Sequence, residues 1–145
     1  MKQFVALLVF ALAATAMARP EVNKEQIAQS AQRVKQAHDK CQADPATAID
    51  DGALRNLHSG GAQPANMAAH ALCISKGLGW QNADGAINKD YIQSRAEAIF
   101  GSNPKLQQIV DECAIAQATP EATAEHLFRC YRKYAPRPEG AHPAH

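Results

Sequence analysis

Beyond its first eighteen residues the chain carries no long apolar run, and so nothing of the roughly 20-residue length a transmembrane helix needs. It lacks a surplus of either charge, a run of like charges and an internal repeat, which excludes the electrostatic footprint of a nucleic-acid or anionic-membrane binder. No GxSxG, HExxH or P-loop occurs, so the common sequence signatures of hydrolases, metalloproteases and NTPases are missing. Asn-x-Ser/Thr is absent at every asparagine, which removes N-glycosylation. Strand signals are nearly absent as well: β-branched residues are scattered and no stretch alternates cleanly between apolar and polar.

What is present begins with a leader. Met1–Lys2 is a short basic start, Phe4–Ala14 is apolar, and Ala16–Met17–Ala18 supplies a small-x-small cleavage pattern. The expectation is a signal peptide over residues 1–18 and a secreted protein. Loss of Lys2 brings the fifteen basic residues level with the fourteen acidic ones. The rest is one domain's length, enough to bury a core.

All four cysteines, Cys41, Cys73, Cys113 and Cys130, follow the leader. An even count in a secreted chain reads as two disulfides, and four cysteines allow three pairings that the residues alone leave open. With no C-x-x-C and wide spacing, a zinc site through them is not expected.

Helix signals recur, with start and stop residues in register. A first helix is expected from about Asn23 to Cys41, with Ile27, Val34 and Ala37 at helical spacing. Asp44–Pro45 reads as an N-cap and first turn of a short second helix through Ile49 to Asn56, stopped by Ser59–Gly60–Gly61. A third starts near Pro64 and ends at Gly77 and Gly79. Asn88 caps a fourth, striped by Ile92, Ala96, Ile99 and Phe100 and closed by Gly101. Asn103–Pro104 opens a fifth, and Thr119–Pro120–Glu121 a sixth that runs to Tyr134. The proline- and histidine-rich residues 135–145 read as a loosely ordered tail after a helical domain over 19–134.

Candidate chemistry is sparse. His70 and Cys73 share a helix face, but a cysteine in a disulfide cannot act as nucleophile, so catalysis is not expected. The stretch WQNADGAINKDY echoes a calcium loop around Asn82, Asp84, Gly85 and Ile87. Trp80 and Tyr91 fall where the first and last carboxylates belong, so it reads as an inter-helix turn and no metal is expected. His58, His126, His142 and His145 read as surface histidines. The apolar set Leu54, Leu57, Met67, Leu72, Leu78, Trp80, Phe100, Val110, Phe128 and Tyr131 suits either a filled core or a hollow one. Alanines on several helices leave room for a guest.

Six helices after a leader, with C-x31-C-x39-C-x16-C, resemble the insect odorant-binding protein family (PBP/GOBP) in its four-cysteine Minus-C branch. CISKGLGWQNADGAINKDYI resembles that family's third-to-fourth helix segment and HLFRCYRKYAP its last helix, so the likeness spans the whole chain after the leader. The six-cysteine spacings place the two missing cysteines at Ala69 and Glu121. The resemblance implies bridges Cys41–Cys73 and Cys113–Cys130 in an all-α fold of six short helices around a hydrophobic cavity. It implies an extracellular carrier of odorants, pheromones or other small apolar molecules, without cofactor, as monomer or weak homodimer, with a membrane chemoreceptor as further partner. A non-olfactory scavenging protein of haemolymph or reproductive fluid is the alternative. The expected lining is the apolar set above, with His70 or Tyr91 as polar handle. Without a bridge from Ala69 to Glu121 the pocket is expected to be more plastic than in six-cysteine relatives.

Overall fold

The computed structural model describes residues 23–134; the leader over 1–18 and the tail over 135–145 lie outside the described residues. Within them are six helices: α1 Lys24–Gln42, α2 Asp51–His58, α3 Met67–Leu78, α4 Lys89–Phe100, α5 Pro104–Cys113 and α6 Pro120–Tyr134. Among the described residues there is no strand, only a single antiparallel bridge between Gln81 and Ile87.

Side-chain caps start most of these helices. Asn23 accepts from the Gln26 amide, Asp50 from Ala53, Asn88 from Tyr91 and Asn103 from Lys105. Thr119 Oγ1 accepts from the Ala122 amide at the head of α6. Each cap satisfies one amide that the first turn leaves without an intrahelical partner.

Two expected starts move. Asp44 caps only a turn, accepting from the Ala46 amide at 2.9 Å, and Asp50 begins α2 instead. Between them the chain makes one turn, with the Thr47 and Ala48 amides donating to the Asp44 carbonyl, and Gln42 then clamps Ile49, donating to its carbonyl and accepting from its amide. At Pro64 the chain makes a turn before α3, and the Asn66 side chain donates to the Ala48 carbonyl instead of capping the helix.

The cysteines pair as Cys41–Cys73, tying α1 to α3, and Cys113–Cys130, tying α5 to α6. Helix α3 packs between α1 and α6, α4 packs on α1 and α5, and α5 on α6. Ile92, Val110 and Leu127 form the buried centre, with Trp80, Ala96 and Tyr131 against it. Full burial of Ile92, Val110 and Leu127 contributes about 1.5–3 kcal/mol each.

The loop between α3 and α4 is pinned to the head of α6. Gln81 is 2% exposed, and its Nε2 donates to the carbonyls of Gly85 and Pro120. Gly85 sits at φ 87°, and a Cβ there would lie 2.7 Å from Pro120. Only glycine combines that left-handed backbone with so close an approach. Asp84 accepts from the Ala86 amide, so its carboxylate closes the turn.

Candidate functional site

The helical stripes do not close on one another everywhere. Between α1, α4 and α5 lies a cavity of about 530 Å³, within the range of small-molecule sites. Ile27, Ala31 and Val34 supply the α1 wall at spacings of four and three. Ile92, Ala96 and Ile99 do the same on α4, and Leu106 and Ile109 on α5. Leu78, Trp80, Phe100 and Tyr131 add to the apolar lining. Polar contacts hold α1 against α4 at this site: the Asn23 amide donates to the Ile99 carbonyl, Arg95 donates to Gln26 and Ser30, and Arg33 donates to the Tyr91 hydroxyl.

Aromatic packing shapes one end. The Trp80 ring lies 5.1 Å from Phe128 and 5.5 Å from Tyr131, centroid to centroid. Burial pushes the Tyr131 phenol up to about 12, so it stays neutral. Its hydroxyl is buried and has no hydrogen-bond partner among the described residues.

Of the side chains named from sequence, Leu78, Trp80, Phe100 and Tyr131 line this cavity. The others lie elsewhere. Val110 is fully buried in the central cluster, and Phe128 packs behind Trp80. Leu54 and Leu57 are on α2, and Met67 and Leu72 on α3, all outside the lining. Tyr91 accepts from Arg33 at 2.6 Å, with the guanidinium 5.9 Å from its ring centroid.

His70 is taken up by the structure. It is 2% exposed, with Nδ1 donating to the Thr47 carbonyl at 2.7 Å and Nε2 accepting from His38 Nδ1 at 3.1 Å. A carbonyl can only accept, which sets this tautomer. His38 Nε2 lies 3.5 Å from Asp51, so the chain of contacts joins α3, α1 and the start of α2. His38 had no place in the sequence-based set, nor had Ser30, Arg33, Arg95, Asn103, Lys105 or Tyr134, which line the cavity or its mouth. The α1 and α4 stripes signalled the apolar walls; nothing in their period told a gap from a contact.

Among the described residues no three His, Cys, Asp or Glu side chains are placed to hold a metal ion, and no helix is long and apolar enough to cross a membrane.

Fold and cavity together define a class: a small all-helical protein, stapled by disulfides, with an apolar chamber of small-molecule size. The family model for the PBP/GOBP family matches residues 23–134, and the chain belongs to that family, whose members are small-ligand carriers and not enzymes. Comparison with curated proteins and with solved structures finds no match.

Proposed function

We propose that this protein is an extracellular carrier that encloses a small apolar molecule, of the odorant or pheromone kind, between α1, α4 and α5 and delivers it to a membrane chemoreceptor. The observation that carries the reading is the cavity itself, with apolar side chains from three helices facing about 530 Å³ of space. Apolar surface removed from water contributes about 25 cal/mol per Å², so a guest filling this space needs few polar contacts to bind. Two disulfides support an oxidising, extracellular setting.

The test is uptake of N-phenyl-1-naphthylamine, a probe that fluoresces in apolar surroundings, followed by displacement with medium-chain alcohols, esters and acids. Saturable uptake at one probe per chain, reversed by competitors, is the expected result. Absence of uptake overturns the proposal.

A further inference from the structure

We infer that the guest is an amphiphile with an anionic head, a medium-chain carboxylate in class, and that Arg95 holds the carboxylate. The inference rests on the carrier reading and deepens it. Three side chains of the lining carry charge, Arg33, Arg95 and Lys105, and all three are cations; no carboxylate lines the cavity.

Arg95 is the informative one. It is partly buried on α4, and its hydrogen-bond partners are neutral: Nη1 donates to Gln26 Oε1 at 3.3 Å and Nη2 to Ser30 Oγ at 3.2 Å. A guanidinium has five N–H donors, and these long bonds engage only two. None of the ion pairs among the described residues includes Arg95, Arg33 or Lys105. Placing a cation against apolar walls without an anion is unfavourable, and a carboxylate entering with the guest supplies that anion in bidentate geometry.

The neighbours of Arg95 agree with this assignment. Arg33 and Lys105 are exposed at the mouth, where like charge draws anions inward. Glu112 lies beside Lys105 in an adjoining crevice, but its carboxylate accepts from the Tyr134 hydroxyl at 2.6 Å. The unpartnered hydroxyl of Tyr131 adds a neutral donor in the same lining.

The experiment compares dodecanoate, dodecanol and methyl dodecanoate as competitors of bound N-phenyl-1-naphthylamine at neutral pH. Wild-type protein should favour dodecanoate over the alcohol and ester by a factor of about ten, the difference expected when one charge-assisted pair replaces a neutral hydrogen bond. Arg95→Gln should bring the ratio close to one, while Arg95→Lys retains part of it. Equal displacement by all three competitors in the wild type overturns the inference, and so does a ratio that survives in a folded Arg95→Gln protein. If Arg95→Gln does not fold, the wild-type ratio alone decides. Failure of the probe to bind at all refutes the carrier reading, and this inference with it; uptake with a ratio of one refutes only the inference.

Discussion

Removing the Cys41–Cys73 bridge as a Cys41→Ala/Cys73→Ala pair tests how far this fold depends on its staples. The bridge closes a sequence separation of 32 residues, for which the chain-entropy relation gives about 3.7 kcal/mol. The Cys113–Cys130 bridge closes 17, which corresponds to about 3.1 kcal/mol. Both figures express restriction of the unfolded chain. They add to the packing lost at Cys41, 2% exposed, and at Cys113, fully buried. At about 4 °C per kcal/mol for a domain of this size, each double variant should melt at least about 12 °C below the wild type. Thermal unfolding followed by circular dichroism, checked by urea titration, measures this directly. A midpoint within about 4 °C of wild type for either variant would refute the reasoning, because closure of the loop would then contribute little.

The other expected outcomes are local. Gly85→Ala should destabilise by about 2 kcal/mol or more, from left-handed backbone and the approach to Pro120, and should loosen the α3–α4 loop from α6. Hydrogen exchange that leaves that loop as protected as before would contradict the role given to it. Burial holds the His70 imidazole below its ordinary value of 6.5, against the pull of the Thr47 carbonyl. The folded state therefore binds fewer protons than the unfolded one, and stability present above about pH 6.5 should fall as pH drops below it. His70→Gln should flatten that slope, and an unchanged slope would remove His70 as its source. Ala96→Phe places a ring in the cavity and should abolish probe uptake while the protein still unfolds cooperatively. Undiminished uptake would move the site elsewhere.

Much of the fold was legible in the residues. Asn23, Asn88, Asn103 and Thr119 announce helix starts, Gly79 and Gly101 announce stops, and the structure uses each of them in that way. The start of α2 was not legible, because Asp44 and Asp50 are both good caps and only the Gln42 clamp on Ile49 selects between them. The cavity was legible only in outline. A helical period shows that Ile27, Ala31 and Val34 share a face, and not whether that face meets a neighbour or an empty space. Val110 and Ile109 are adjacent in sequence, yet one is core and the other lining. Arg33 and Arg95 escaped notice because arginines are ordinary in a charge-balanced chain, and nothing in the sequence shows that Arg95 is partly buried. Their meaning comes from sitting on one cavity without a carboxylate.

Trp80, the single tryptophan, lines the cavity and supplies the most direct test of the central claim. N-phenyl-1-naphthylamine absorbs where tryptophan emits, so a probe inside the cavity should quench Trp80 and emit in its place. Energy transfer should saturate at one probe per chain and be reversed by competitors. Probe uptake without transfer from Trp80, or transfer that never saturates, would contradict that claim.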